Sequence, residues 1–318
     1  MAKLYVIGNG FDLAHGMRTS YHDFKEWLSG QGGQSSRSLL WVLDNLEMYC
    51  NIDDFWSSLE ESLGKMDIRA YLREIMDEHS YNNPEDEHYG ELGEGWDAAY
   101  AQLITIDKES GLDVVSDIFS RWIRKVPTAN AVLPQYQALT DKDVYLSFNY
   151  TDTLETIYRI PSNRILHIHG LTSIQESELV FGHGHLYDLE QCERIGDEVM
   201  GIDAEGVAKM YGEALNKLYK HTQSIYESEI RWFDNLIIQG ITDIVALGFS
   251  FGEVDDRYLN EIRNRLSNAN WHFSIYTSNE EARKRDLDHV RKFINRIGLA
   301  PMQCHAFDAE DTSINLNI

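Results

Sequence analysis

An asparagine and a histidine with acid–base or orienting chemistry follow apolar runs that read as buried strands. Asn149 comes directly after the run 144–148, and His169 follows the run 165–168. A carboxamide both donates and accepts hydrogen bonds, so it can orient a water molecule or a sugar hydroxyl. An imidazole titrates near neutral pH and can accept a proton from such a group. Both are candidates for substrate contact; the structural alternatives are a turn-forming Asn and a buried His with satisfied hydrogen bonds.

A glycine-containing turn follows the first apolar run. Gly8-Asn9-Gly10-Phe11-Asp12 comes directly after Lys3 to Ile7, and a helix is predicted to begin near Thr19-Ser20. Two glycines after a strand let the backbone approach a phosphate closely, and turn amides can donate to its oxygens. The dinucleotide-binding pattern GxGxxG is incomplete, because Leu13 stands where its third glycine belongs. A tight structural turn with Asp12 as a local cap is the alternative.

Two HxH pairs raise the question of a metal site. His167 and His169 form one pair, and His183 and His185 form the other. Imidazole is a common ligand of zinc and iron, so metal-dependent hydrolysis is one alternative function. A hydrolytic site also needs a clearly placed carboxylate ligand, which neither pair supplies, and no metal ligand is predicted.

The segment Gly248-Phe249-Ser250-Phe251-Gly252 follows another apolar run. Ser250 and the surrounding amides can bind a ribose or a phosphate, and Asp255 lies near the start of the next helix. The same letters match the GxSxG pattern of serine hydrolases, which require an acid and then a histidine later in the chain. The histidines that follow have no distinctive context, so this interpretation is the weaker one.

The elements that must position these residues alternate between strand and helix patterns. Short apolar runs predict buried parallel strands at 3–7, 144–148, 165–168, 179–181, 244–249 and 273–276. Helical periodicity over 253–266 and 280–297 fills two of the intervals. Alternation of this kind predicts an α/β fold with a parallel sheet.

A change of periodicity divides the chain. Leu, Trp, Phe and Ile recur at helical spacing between residues 35 and 134, which predicts a helical insertion subdomain. Residues 1–34 and 135–318 are predicted to form one α/β domain, with a second helical insertion over 188–236. The segment 82–95 is rich in Glu, Asp, Gly and Asn and is predicted to be exposed and mobile.

Composition excludes several classes of protein. The chain has 318 residues, with 28 Lys and Arg against 52 Asp and Glu, and a formal net charge of −24. Such a surface repels phosphate backbones and anionic lipids, so neither a nucleic-acid nor a membrane partner is predicted. Its three cysteines form no CxxC pair, which fits a reducing compartment. The first residues resemble neither a signal peptide nor a membrane span, so a cytoplasmic location is expected.

Five motifs in this order resemble the AbiH family of bacterial phage abortive-infection proteins: LYVIGNGFDLAHGMRTSYHDF, FNYTDTLE, HIHG, FGHG and GFSFGEVD. The order is also similar, more distantly, to sirtuin-like domains that bind NAD. That resemblance implies a Rossmann-like, sirtuin-like parallel sheet with helical insertions, and it makes Asn149 and His169 the catalytic pair. The residues expected to contact NAD are Gly8, Asn9, Gly10, Phe11, Asp12, Phe148, Gly170, Gly248, Ser250, Asp255, Ser278 and Asn279.

One departure from the sirtuin pattern bears on the reaction. Sirtuin deacylases carry four zinc-binding cysteines, and a chain with three cannot supply them. The resemblance therefore favours hydrolysis of NAD at the nicotinamide–ribose bond over protein deacylation. Binding of NAD or ADP-ribose without catalysis is the second hypothesis and metal-dependent hydrolysis the third. The expected partner is a small nucleotide, with a protein trigger and a second copy of the chain left open.

Overall fold

The protein is described from a computed structural model that covers residues 2–50, 52, 54–79, 112–200, 206–276, 279–311 and 315–316. It forms two compact units. The sheet unit comprises Met1–Ser20, Ile123–Val180 and His221–Ile318. The helical unit comprises Tyr21–Trp122 and Phe181–Lys220. The domain boundaries drawn from the sequence stay a prediction.

The sheet unit is built on one sheet of seven described strands. They are β1 (Ala2–Ile7), β2 (Val144–Ser147), β3 (Ile165–His167), β4 (Ile241–Leu247), β5 (Asn270–Ile275), β6 (Cys304–Asp308) and β7 (Asn315–Leu316). Their order is β3-β2-β1-β4-β5-β6-β7. The first six run parallel, and β7 is antiparallel to β6. The order 3-2-1-4-5-6 is that of doubly wound Rossmann sheets, which confirms the predicted fold class.

Both faces of the central strands are buried. Leu4 and Val6 of β1 lie in one apolar core, and the alternate residues Tyr5 and Ile7 lie in the other. Every residue of β2 is buried as well. Side chains of a strand alternate between faces, so a continuous apolar run is stable only where helices or loops cover both sides. The carboxyl ends of β1, β2 and β4 are thereby fixed beside one another.

The helices follow in chain order. They are α1 (Asn9–Ala14), α2 (Tyr21–Ser29), α3 (Gln34–Glu47), α4 (Leu59–Leu63), α5 (Ile68–His79), α6 (Val115–Ile123), α7 (Thr153–Thr156), α8 (Leu189–Met200), α9 (Val207–Asn216), α10 (Thr222–Ser228), α11 (Ile230–Asn235), α12 (Asp256–Arg265) and α13 (Glu280–Ile297). Within the helical unit, Gly212 of α9 lets Cys192 of α8 approach closely, since a Cβ there would lie 2.8 Å from the cysteine sulfur. None of the described helices combines the length and apolar character that a membrane crossing requires.

Three sequence-based assignments differ from the structure. The run 179–181 is not a strand; Val180 instead donates its N–H to the carbonyl oxygen of His169. The turn after β1 is already helical as α1, and β6 was not predicted because its exposed His305 interrupts the apolar run. The segment 82–95 lies outside the described residues.

Candidate functional site

A buried carboxyl group lies just after β1, within α1. Asp12 is 1% exposed, and its side chain accepts hydrogen bonds from the hydroxyls of Thr151 at 2.7 Å and Thr153 at 3.0 Å. Burial raises the pKa of Asp12 to about 6, although both hydroxyls, the Asn149 carboxamide and His167 act to lower it. Desolvation outweighs these stabilising contacts because removing a carboxylate from water is costly. The carboxyl group therefore titrates close to neutral pH.

Asn149 is the buried polar residue that ends β2. Its side chain is 5% exposed, and among the described residues neither Nδ2 nor Oδ1 has a hydrogen-bond partner. The carboxamide nevertheless lies near enough to Asp12 to lower the pKa of that carboxyl group. A buried amide left without partners costs roughly 1–3 kcal/mol. Such a group indicates a place where a ligand or water completes the hydrogen bonds.

The first histidine of the HIHG motif pairs with a carboxylate from the neighbouring segment. His167 places Nε2 2.9 Å from Oε1 of Glu155 in α7, and its Nδ1 lies 3.4 Å from the backbone oxygen of Asn149. Sequence reasoning assigned Glu155 no role and considered His167 only as a possible metal ligand. The only available signal was that both lie in the motifs FNYTDTLE and HIHG.

The second histidine of that motif pairs with a different carboxylate. His169 places Nε2 3.3 Å from Oδ1 of Asp255, and the angles at this distance do not form a hydrogen bond. Its ring meets that of Phe148 edge-on, with centroids 5.3 Å apart, and the Tyr258 ring lies 6.3 Å away. Strand alternation predicts that His167 and His169 share a face. However, β3 ends at His167, and the two imidazoles contact different side chains.

The glycine turn after β1 and the loop after β4 are packed directly on each other. Gly10 donates its N–H to the oxygen of Gly248 at 2.8 Å. A Cβ at Gly10 would lie 2.7 Å from the Cα of Gly248, and one at Gly8 would lie 2.5 Å from the Cα of Phe249. Both glycines are therefore required by the close approach of a second loop. The amides of Gly8, Gly10 and Phe11 already donate within the protein.

The loop after β4 has an unusual backbone conformation. Gly248 has φ +58° and Phe251 also has φ +58°, a left-handed conformation that is strained for a bulky residue. Arg296 donates to the oxygen of Phe251 at 2.7 Å and so holds this turn. Ser250 is exposed and, unlike the nucleophile of a serine-hydrolase elbow, is not the strained residue. The loop conformation leads into the turn Glu253–Asp255, whose last carboxylate meets His169.

Comparison with protein families decides the family of this chain. The family model described as bacteriophage abortive infection AbiH matches residues 4–276. The chain belongs to the AbiH family. This confirms the resemblance seen in the five motifs and places the protein in phage defence by abortive infection. No curated protein and no solved structure matches significantly.

The remaining NAD-contact residues predicted for this AbiH protein have varied surroundings. Gly170 has φ +87°, and a Cβ there would lie 2.2 Å from the oxygen of Glu178. Asn279 caps α13, since its Oδ1 accepts from the N–H of Ala282 at 2.7 Å. The exposed Asn9 donates through Nδ2 to the oxygen of Thr19 at 2.9 Å. Ser278 lies outside the described residues.

The HxH pairs of the AbiH chain do not form a metal centre within the described residues. No group of three or more His, Cys, Asp or Glu side chains there is arranged to hold a metal ion. In the helical unit, His183 places Nε2 2.9 Å from the oxygen of Leu215, and burial lowers the pKa of its imidazole. His183 thus has a local structural partner, and metal-dependent hydrolysis at the HxH pairs stays an untested alternative.

Proposed function

We propose that this AbiH protein hydrolyses NAD at the bond between nicotinamide and ribose. The proposal is carried by one observation: the carboxamide of Asn149 is buried at the carboxyl end of β2 with both polar atoms unpartnered among the described residues. Ligands of open α/β sheets bind outside the carboxyl ends of the strands, where the strand order reverses. Here that reversal falls between β1 and β4, whose following loops are the ones in contact.

The residues present fit the ribose end of NAD better than its diphosphate. Asn149 offers one donor and one acceptor to a water molecule and a ribose hydroxyl. His169 supplies an imidazole whose ring packs against the rings of Phe148 and Tyr258. Most N–H groups of the glycine turn already donate hydrogen bonds to backbone oxygens of the protein. The exposed Ser250 is therefore the better candidate for a phosphate contact.

The reaction requires one water molecule and no external oxidant. Water oxygen bonds to C1′ of the ribose as the C1′–N bond to nicotinamide breaks, and the electron pair of that bond returns to the pyridine ring. Nicotinamide leaves neutral, so no strong acid is needed. His169 accepts the proton that the attacking water loses and later releases it to solvent, while Asn149 orients the water and the ribose. The products are nicotinamide, ADP-ribose and one proton.

Asp255 supports this assignment of His169. A carboxylate near Nε2 favours the tautomer with the proton on Nε2 and stabilises the imidazolium formed during the reaction. Catalytic hydrogen bonds are often long before substrate binds, so a separation of 3.3 Å is compatible with a pair that tightens in the complex. Nδ1 is then the nitrogen that accepts the proton.

The test measures NAD in phage-infected cells, because the proposal includes activation during infection. The trigger is either a protein that appears during infection or self-association of this chain. The proposal also includes a cytoplasmic location. Cells producing the wild-type chain should lose NAD and accumulate nicotinamide and ADP-ribose after infection. Cells producing Asn149→Ala or His169→Ala should keep their NAD. Unchanged NAD during a wild-type infection that is successfully aborted refutes hydrolysis. Calorimetric binding of NAD that stays intact then selects the non-catalytic alternative.

A further inference from the structure

Asp12 and Asn149 come from separate segments and lie side by side at the carboxyl ends of β1 and β2. The carboxyl group of Asp12 is almost fully buried, and its two oxygens each accept one hydroxyl: Oδ2 from Thr151 and Oδ1 from Thr153. The carboxamide of Asn149, close enough to lower the pKa of Asp12, is also buried at 5% exposed and has no hydrogen-bond partner among the described residues. The carboxamide of Asn149, which lacks a hydrogen-bond partner, therefore lies near a carboxyl group that two threonine hydroxyls hold in place.

The chemistry of the two groups restricts how they can face each other. An ionised carboxyl group only accepts hydrogen bonds, so the threonine hydroxyls must donate to it and any further contact must be a donor. Asn149 has one donor end, Nδ2, and one acceptor end, Oδ1. Beside a carboxylate, the favourable arrangement turns Nδ2 toward Asp12. Oδ1 is then left to accept from a bound molecule.

We propose that Asp12 is a positioning residue that holds Nδ2 of Asn149, so that Oδ1 faces the substrate as a hydroxyl acceptor. This inference rests on the role of Asn149 in the proposed NAD hydrolysis. It specifies the ligand chemistry at this point as a hydroxyl donor, either water or a free ribose hydroxyl. A ligand that presents only acceptor oxygens there, such as a phosphate, meets an oxygen and is disfavoured.

The arrangement depends on the charge of Asp12. From the 149–153 segment, the groups that lower the pKa of Asp12 are neutral: the hydroxyls of Thr151 and Thr153 and the carboxamide of Asn149. The sulfur of Met17 lies 3.4 Å from the Thr153 hydroxyl and is also neutral. From β3 comes His167, which lowers the pKa of Asp12 and is itself paired with Glu155 of α7. A protonated Asp12 offers a donor as well as an acceptor, so it no longer distinguishes the two ends of Asn149.

The test follows the side-chain amide of Asn149 by NMR in the complete, ligand-free protein labelled with ¹⁵N-asparagine. Asn149→Asp identifies the resonance by its loss. We expect its shifts to titrate with a midpoint near the pKa of Asp12, about 6. The titration should disappear in the isosteric variant Asp12→Asn. In His167→Gln the midpoint should rise, because that imidazole lowers the pKa of Asp12.

A matched control comes from the same molecule. Asn9 uses its Nδ2 on the backbone oxygen of Thr19, so its amide should not follow the titration of Asp12. A resonance of Asn149 that does not titrate, or that titrates equally in Asp12→Asn, overturns the inference. If Asp12→Asn does not fold, Thr153→Val replaces it; losing that hydroxyl should raise the midpoint, and an unchanged midpoint overturns the inference equally.

These measurements need no turnover, so their failure is distinguishable from a failure of NAD hydrolysis. Where hydrolysis is observed, Asp12→Asn should reduce kcat by about 10- to 100-fold, the usual effect of a group that orients a reacting one. KM for NAD should change less, because in the proposed arrangement Asp12 acts through Asn149 instead of being the NAD contact that the family resemblance implied. Asp152→Asn, in the same segment and without a side-chain cap, is the matched control and should retain kcat.

Discussion

His169 and Asp255 form a buried pair in which Nε2 lies 3.3 Å from Oδ1. The histidine follows β3, and the aspartate ends the short turn after the β4 loop, so the pair connects the two halves of the sheet. In the mechanism we propose, the carboxylate lies on the Nε2 side and Nδ1 accepts the proton. His167 also has Nε2 beside a carboxylate, that of Glu155, but its Nδ1 lies 3.4 Å from the backbone oxygen of Asn149.

The first prediction concerns this pair. His169→Gln should reduce the rate of NAD cleavage by roughly 10²- to 10⁴-fold, the usual contribution of a general base. Asp255→Asn should lower the rate less, because the variant keeps the imidazole and loses only the carboxylate beside it. Nicotinamide release measures both. The exposed His305→Gln is the control, and equal loss in the control would remove His169 from the mechanism.

The second prediction concerns the packing of the two loops. Gly10→Ala should lower the free energy of unfolding by about 3 kcal/mol, because its Cβ would overlap the backbone of Gly248, which cannot move like a flexible side chain. Gly32→Ala is the control, since no atom lies within 4 Å of the position of its Cβ. It should change stability by less than about 0.5 kcal/mol. Urea unfolding compares them; equal stability of the two variants contradicts the packing argument.

The third prediction follows from the raised pKa of Asp12, about 6 against an ordinary value of 3.8. The unfolded chain releases this proton at lower pH than the folded chain, so ionising Asp12 destabilises the fold as pH rises. Between about pH 4 and 7 this group should lower the free energy of unfolding by up to about 3 kcal/mol.

Asp12→Asn removes this titratable group. The free energy of unfolding of the variant, relative to that of the wild type, should therefore rise as pH increases over the same range. Chemical unfolding at several pH values measures the difference. A difference that stays constant with pH shows that Asp12 ionises in the folded protein as it does in water, and one that moves the other way shows that folding lowers its pKa; either result contradicts the prediction.

The fourth prediction concerns a buried ion pair in the helical unit. Lys220 has no exposed side-chain surface and places Nζ 2.9 Å from Glu60, which also accepts from the N–H of Gly182 and the hydroxyl of Tyr21. Lys220→Met leaves the carboxylate of Glu60, whose side chain is 16% exposed, without its counter-charge and should cost about 3 kcal/mol.

The matching double variant tests whether the cost arises from the pair. Adding Glu60→Gln to Lys220→Met should restore part of the lost stability, because neither charge then remains alone. The exposed pair of Lys292 with Asp288 is the control, and Lys292→Met should cost less than about 1 kcal/mol. Additive effects of the two buried substitutions would show that the charges do not interact.

Part of the fold could be predicted from the sequence, because the spacing of apolar residues in those segments matches the side chains that the fold buries. The buried runs of β1 and β2 and the helix Glu280–Ile297 were predicted, since strands covered on both faces are continuously apolar and an amphipathic helix repeats every turn. The strand β6 was not, because its alternating exposure resembles a loop in so short a segment.

The contacts between histidine and carboxylate side chains could not be predicted from the sequence. Nothing in the motif HIHG indicates that its first histidine meets Glu155 and its second meets Asp255, because those contacts depend on where β3 ends and on the path of the β4 loop. The glycines of the first turn were interpreted as room for a phosphate. In the structure, the loop after β4 packs against these glycines. The role of the turn in NAD binding stays a prediction.

The contact between the first glycine turn and the β4 loop has a consequence for biosynthesis. Gly10 accepts a hydrogen bond from the hydroxyl of Tyr276 and donates one to Gly248, so its surroundings come from late parts of the chain. We therefore expect a nascent polypeptide that ends before Gly248 to leave the turn after β1 without the loop that packs on it. Such a polypeptide also lacks Asp255, the carboxylate beside His169.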